Sequence, residues 1–192
     1  SISGDTALVG APFDDDDEPD DAAGSAYVFV RPAGGWSGLL EETAKLTPSD
    51  RAFEDNFGYS VSIDGDTAVV AAPFRDDGGS RSGSAYVFVR PAGGWDSAMD
   101  ETATLTASDS ATNDNFGRSI SSDGDTVLVG AFRDDDGGSN SGSAYVFVRA
   151  ADGWSGTLEE TAKLTASDAA EQDEFGTSVS VIGGTAVVGA PG

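Results

Sequence analysis

The string GSAYVFVR occurs three times, beginning at Gly24, Gly83 and Gly142, at a constant spacing of 59 residues. A period of this length constrains the fold more than any single motif does. Each copy must make the same local structure and bury its apolar surface against its neighbours. Other positions keep the phase. Trp36, Trp95 and Trp154 repeat at 59, as do Phe57, Phe116 and Phe175, which are followed by Gly58, Gly117 and Gly176. The turn glycines Gly4, Gly65, Gly124 and Gly183 are spaced 61, 59 and 59 apart. The two additional residues of the first interval fall in the acidic stretch after Pro12, and an insertion there marks a loop.

Each period reads as four short strands. In the second copy, strand A covers 59–63, B 67–72, C 84–90 and D 102–108. Period-2 alternation, β-branched residues and Gly/Asp punctuation all predict strands, and the D-G and G-G turns suit tight hairpins. Helical periodicity is nearly absent. Its best candidate, LLEETAKL (39–46), has a second-copy counterpart with no convincing apolar face. Four antiparallel strands at a fixed period predict blades of an all-β propeller, each sheet stacked on the next with the recurring Phe, Tyr and Trp packed between them. A two-sheet sandwich accounts for short strands but not for the long regular period. The units run 1–56 (a partial first blade, strands B to D plus linker), 57–115, 116–174, and 175–192 (strands A and B of a fourth). Propellers use four to eight blades, so the expectation is an incomplete propeller, part of a longer array or of a ring built from several chains.

The segments FGYSVSIDGDTAVVAAP (57–73), FGRSISSDGDTVLVGAF (116–132) and FGTSVSVIGGTAVVGAP (175–191) resemble FG-GAP repeats, the units of the integrin α-subunit propeller and of many bacterial and archaeal secreted proteins. Phe132 replaces the proline of that pattern, and the chain opens inside another copy, SISGDTALVGAP. The resemblance covers essentially the whole chain. It implies a propeller, an extracellular or cell-surface setting, and binding of a protein or glycan. One departure matters. In the integrin-like pattern an Asp-rich calcium loop lies between FG and GAP, whereas here only IDGDT, SDGDT or IGGT remains. Calcium takes six to eight oxygens, so that family site is not carried over to these positions.

Charge is the strongest compositional signal, with 34 Asp and Glu against 10 Lys and Arg and a formal net charge of −24. Such a field repels nucleic acid and anionic membranes, and it opposes compaction unless salt or divalent cations screen it. High salt, as in a halophile, or millimolar divalent cations outside the cell would relieve it. The strand order places the B–C and D–A connections on one face of the disc, and 21 of the 34 acids fall in those connections.

Three readings of this acidic face stay open: a solvated salt-adapted surface, calcium held by B–C loops, and recognition of a cationic protein. The calcium candidates are Asp76, Asp77, Asp134, Asp136 and Asn140. In DDDGGSNSG (134–142) the alternate carboxylates can combine with backbone carbonyls and a side-chain oxygen from Ser139 or Asn140. Candidate partner-binding residues are Asp14, Asp15, Asp16 and Asp17 in the inserted loop, with the copy-specific Arg51, Phe53 and Arg81. The pair Asp50/Asp55 recurs as Asp109/Asp114 and Asp168/Asp173, and these carboxylates are expected to accept backbone N–H bonds that shape the turn into the next blade.

The chain has no cysteine and no histidine, which removes disulfides, thiolate chemistry, Cys/His zinc sites and histidine general bases. Carboxylate pairs remain, but acids this abundant pair by chance, and most recur in every copy, whereas an active site is a unique cluster. The expectation is a non-catalytic adhesion or interaction module. The alternatives are a surface-layer, stalk or filament part, or a propeller attached to a secreted polysaccharide-acting enzyme. Its partners would be a protein or glycan, or neighbouring copies of itself.

Overall fold

The computed structural model of the chain describes residues 1–14, 22–97 and 99–192. Among them there are strands and turns but no helix. The Gly4, Gly65, Gly124 and Gly183 turns each reverse the chain between strands A and B with φ near +55°, a conformation glycine adopts without steric cost. The first unit forms β1 (Ile2–Ser3), β2 (Thr6–Ala11), β3 (Ser25–Val30) and β4 (Ala44–Leu46). The second forms β5 (Val61–Asp64), β6 (Thr67–Ala72), β7 (Ser84–Val89) and β8 (Ala103–Leu105). The third forms β9 (Ser119–Asp123), β10 (Thr126–Ala131), β11 (Ser143–Val148), β12 (Gly156–Leu158) and β13 (Ala162–Leu164), and a fourth contributes β14 (Ser178–Ile182) and β15 (Thr185–Gly189).

Strands A to D of each unit pair antiparallel in chain order. The B–C register is the same three times, with Thr6 opposite Val30, Thr67 opposite Val89 and Thr126 opposite Val148. These are propeller blades, and β1 supplies the first sheet with its A strand. The segment 39–46, the best helical candidate, ends in β4 instead.

The apolar run of β6 and β7 follows from stacking, since a strand covered on both faces needs no polar positions. Successive side chains point to opposite faces. Ala68, Val70 and Ala72, with Tyr86 and Phe88, meet Leu8, Ala26, Val28 and Leu46 of the first blade. Val69, Ala71, Ala85 and Val87 meet Phe116, Val127, Val129, Tyr145 and Phe147 of the third. Leu128 and Ala144 meet Val181, with Phe175 and Val188 at the margin. Phe57 and Phe116 are fully buried, each edge-on to the Tyr and Phe of its own strand C, with ring centroids 5.4–6.1 Å apart. Trp95 and Trp154 are 6% and 4% exposed and lie in the first and second inter-blade clusters, whereas Trp36 is 41% exposed on the outward face of the first blade.

Polar ties join the blades at both edges. At the inner edge, serines in or just before one A strand accept backbone N–H bonds from the next: Ile63 N–H to Ser1, Ile120 N–H to Ser60 and Val181 N–H to Ser121, all 3.0–3.1 Å. At the outer edge, Glu101 accepts from the backbone and hydroxyl of Ser49, and Glu160 does the same for Ser108 at 3.0 and 2.7 Å. Beside this second clamp β12 leaves its own blade and pairs parallel with β8 of the preceding one.

Candidate ligand surface and acidic junctions

The repeated FG and GSAY glycines shape the loop face. Each D–A linker runs beside the B–C loop of the preceding blade, with Phe57, Phe116 and Phe175 donating N–H bonds of 2.9 Å to Ala23, Ser82 and Ser141. Gly58 has φ +91°, and a Cβ there would lie 2.3 Å from the Ser25 carbonyl oxygen; Gly24 has φ +83°, and its Cβ would lie 2.1 Å from that of Phe57. Both positions exclude any side chain. This geometry gathers the B–C and D–A connections on one face, as the strand order requires.

The recurrent acid pairs divide their work. Asp55, Asp114 and Asp173 each accept the N–H three residues back, from Ala52, Ala111 and Ala170 at 2.7–2.9 Å, and so hold the turn. Asp50 and Asp109 instead accept the hydroxyls of Tyr86 and Tyr145 at 3.0 and 2.9 Å. Each thereby joins the D–A linker of one blade to strand C of the next.

A side-chain cation sits in each of these junctions. In the third blade Lys163 Nζ donates to Asp109, Asp134 and Asp136 at 2.5, 2.9 and 2.5 Å. Tyr145 also donates to Asp134 at 2.6 Å. In the second blade Arg75 donates to Asp50, Asp55 and Asp77 at 3.0, 3.0 and 2.9 Å. In the first, Lys45 lies 3.2 Å from Asp14, which also accepts the Tyr27 hydroxyl.

The electrostatics follow the contacts. Burial pushes Asp134 up, but hydrogen bonds from Tyr145, Lys163 and the Asp136 N–H outweigh it and hold the carboxyl below the ordinary range. Asp14 is held low in the same way by Tyr27 and Lys45. Burial and the Asp14 carboxylate push Tyr27 up to about 12. Among the described residues no cation pairs with Asp114; burial, with the nearby carboxylates of Asp134, Asp109 and Asp135, raises it to about 6.

The calcium candidates lie in and around these junctions. One carboxylate oxygen from each of Asp109, Asp134 and Asp136 lies within 4.8 Å of the others, close enough to hold a metal ion. Asp109 was absent from the expected set; the Asn140 backbone N–H donates to Asp135 at 2.6 Å, and the Asn140 carbonyl accepts the Glu174 N–H at 3.0 Å. Asp76 and Asp77 diverge, the first accepting the Arg81 N–H at 2.7 Å and the second binding Arg75 and Ser84. Calcium wants six to eight oxygens, but the ammonium of Lys163 already donates to all three carboxylates. With that side chain in place, the donor set does not fit the ion. The acids of the A–B turns are also used internally. Asp64 and Asp123 accept the next turn's glycine N–H at 2.7 Å, and Asp5, Asp66 and Asp125 pair with Arg31, Arg90 and Arg149.

The partner-binding candidates separate. Asp15, Asp16 and Asp17 lie outside the described residues. Asp14 is engaged by Tyr27 and Lys45. Arg51 is half-buried and reaches the Asp14 carbonyl at 3.5 Å. Phe53 and Arg81, by contrast, line one cleft with Phe74, Arg75, Asp76 and Ser80, and Phe53 is 65% exposed.

That cleft opens onto a strip that sequence reading missed. The Arg81 guanidinium lies 5.4 Å over Phe74, whose ring meets Tyr59 at 6.0 Å. Arg118 lies 4.7 Å over Tyr59 and 5.6 Å over Phe132, and Arg133 lies 5.1 Å over Phe132. Arg81, Arg118 and Arg133 have no carboxylate partner among the described residues, although acids outnumber bases 34 to 10. The strip is specific to these copies, because Tyr59 becomes Arg118 and then Thr177, and Phe74 becomes Arg133.

A sequence profile of the FG-GAP repeat matches residues 1–29, 40–88, 99–147 and 158–192, most of the chain and in phase with the blades. The chain belongs to the FG-GAP repeat family. FG-GAP repeats are typically found in extracellular proteins, and no helix among the described residues is long and apolar enough to cross a membrane. Among proteins of curated function the chain has no significant match. Within this FG-GAP chain the matched segments carry most of the sheet and core residues, while Trp95 and Trp154 of the inter-blade clusters lie between them. The cleft and the strip arise where the copies differ.

Proposed function

We propose that this FG-GAP chain is a non-catalytic, extracellular interaction module that binds an acidic, uronate-bearing glycan along its arginine–aromatic strip. The supporting observation is the gathering of Arg81, Arg118 and Arg133, without carboxylate partners among the described residues, on the half-exposed rings of Phe74, Tyr59 and Phe132. Guanidinium groups bind carboxylates bidentately, and aromatic faces stack on the C–H faces of sugars. Phe53, Ser80 and the Arg81 end of the cleft offer a further ring and hydroxyl for a sugar unit. The surrounding negative field suppresses indiscriminate binding of polyanions such as nucleic acid. The clustered acids that a carboxylate mechanism would need are already occupied by Tyr145, Arg75 and Lys163, which supports a binding role rather than hydrolysis. Calcium in the acidic loops belongs to this reading only where a carboxylate set other than the Lys163 junction provides the oxygens.

Titration calorimetry at fixed ionic strength, with oligogalacturonate, neutral dextran and poly-glutamate as probes, tests the proposal. Oligogalacturonate should bind, and Arg118→Ala should weaken it by at least about tenfold, the loss expected for one charge-assisted contact of about 1.5–3 kcal/mol. Equal binding of poly-glutamate would assign the strip to acidic protein segments. No binding of either polyanion, or release of reducing ends from the glycan, would end the reading.

A further inference from the structure

We infer that the chain supplies from its own side chains the cation its acidic junctions require, so that removing the Lys163 side chain turns the third-blade junction into a divalent-cation site. The argument rests on a substitution pattern between copies that share one fold. Two positions after the turn glycine, strand B begins a run that ends in Ala11, Ala72 or Ala131; three residues beyond that alanine stand Asp14, Arg75 and Asp134. At the centre of strand D stand Lys45, Thr104 and Lys163. The first and third blades therefore combine a loop Asp with a strand Lys, and the second combines a loop Arg with a strand Thr. The cation changes its point of attachment, but each junction keeps one. In the second and third blades it contacts three carboxylates, and one of the three is the D–A residue, Asp50 or Asp109, that also accepts the tyrosine hydroxyl.

Electrostatics explains why the pair of positions changes together. Carboxylate oxygens converging within 4.8 Å of one another, with Asp134 buried and Asp109 and Asp136 exposed, repel, and a cation among them relieves the repulsion. An ammonium serves three acceptors with its three N–H groups, and a guanidinium serves three with its fork. A strand lysine and a loop arginine together would over-fill the junction, and neither would leave it open. Without Lys163, the oxygens of Asp109, Asp134 and Asp136, with the Tyr145 hydroxyl and water, match the hard-oxygen preference of calcium. The acids themselves are no evidence of a metal. The resident ammonium, donating to all three carboxylates, marks where the positive charge belongs.

The test compares wild type, Lys163→Thr, and the double variant Asp134→Arg/Lys163→Thr, which copies the second-blade arrangement into the third. Thermal unfolding and titration calorimetry are run with calcium chloride, against sodium chloride at matched ionic strength. Wild type should show the same melting temperature in both salts. Lys163→Thr should melt on the order of 5 °C lower in sodium chloride, bind one additional calcium ion per chain, and regain its stability in calcium. The double variant should regain it without calcium and lose the additional ion. If Lys163→Thr is unfolded in sodium chloride, recovery of its β-sheet circular dichroism in calcium, or a folded double variant, supports the inference equally. Calcium binding by wild type that Asp136→Asn abolishes would overturn the inference. So would a Lys163→Thr chain that neither loses stability nor gains an ion, or both variants remaining unfolded in calcium.

Discussion

Asp55 and Asp114 hold the same turn in successive blades, and each accepts the N–H three residues back. Arg75 reaches Asp55 at 3.0 Å, while the third-blade cation, Lys163, spends its three donors on Asp109, Asp134 and Asp136. Asp114, 5% exposed, is left with a buried charge, and its carboxyl is raised to about 6. A group whose folded pKa lies above its unfolded value gives stability that is complete below the unfolded pKa and is lost as pH rises through the folded one. For Asp114 that window runs from about pH 4 to 6, and above it the ionised form costs on the order of 2 kcal/mol. Asp114→Asn keeps an acceptor for the Ala111 N–H and removes the charge. Chemical denaturation should find it about 1–2 kcal/mol more stable than wild type at pH 7.5 and no more stable at pH 4. A gain of the same size at both pH values, or a loss at pH 7.5, would place the cost of Asp114 elsewhere. Asp134 has the opposite sign: its contribution is present above the ordinary carboxylate range and is lost as pH falls through its depressed value.

At the level of strands, sequence legibility tracked how many neighbours each element has. Strands B and C of the second and third blades were readable because each is paired on both sides and covered on both faces, so periodicity and apolar runs leave little choice; β6 spans the expected 67–72. Strand D was expected over 102–108 but pairs only over Ala103–Leu105, since beyond it Thr106 N–H turns to Leu158 of the next blade. That partner, β12, is a three-residue piece of a loop with no alternation of its own, and its pairing exists only once blades are stacked. The strip was hidden for a related reason. Its residue types change from copy to copy, Tyr59 to Arg118, Phe74 to Arg133 and Pro73 to Phe132, so aligning the copies presents them as scatter. The junction cation was visible in principle, through the Asp/Lys to Arg/Thr exchange. A comparison of stability between elements follows. Phe116→Ala empties the space between β7 and β11 and should cost about 3–5 kcal/mol. Glu160→Ala removes an exposed clamp and should cost about 1 kcal/mol. Urea midpoints for the two variants check the contrast, and comparable losses would mean that the outer-edge ties, not the aromatic cores, hold the blades together.

The molecule as a whole carries two opposed tendencies. Val9, counterpart of the fully buried Val70 and Val129, is exposed with Trp36 on the outer face of the first sheet. At the other end Val187, counterpart of the fully buried Leu8, Val69 and Leu128, is exposed on β15. Between adjacent blades these two kinds of face meet: the side of one sheet that carries Val69 covers the side of the next that carries Val129. When the 192-residue chain is prepared on its own, two copies can join head to tail through the same contact that holds its blades together, a heterologous interface. A net charge of −24 on each copy opposes that approach, and the opposition is screened over about 10 Å at 0.1 M salt and about 3 Å at 1 M. Sedimentation velocity should thus find more self-association in 1 M than in 0.05 M sodium chloride at the same protein concentration. Val187→Asp, which places a charge in the centre of one face, should keep the chain monomeric in both. If wild type stays monomeric in high salt at about 100 μM, the exposed faces are not complementary enough to dock. Association that Val187→Asp leaves unchanged would locate the contact away from the sheet faces, with the strip and the cleft as the remaining surfaces to map.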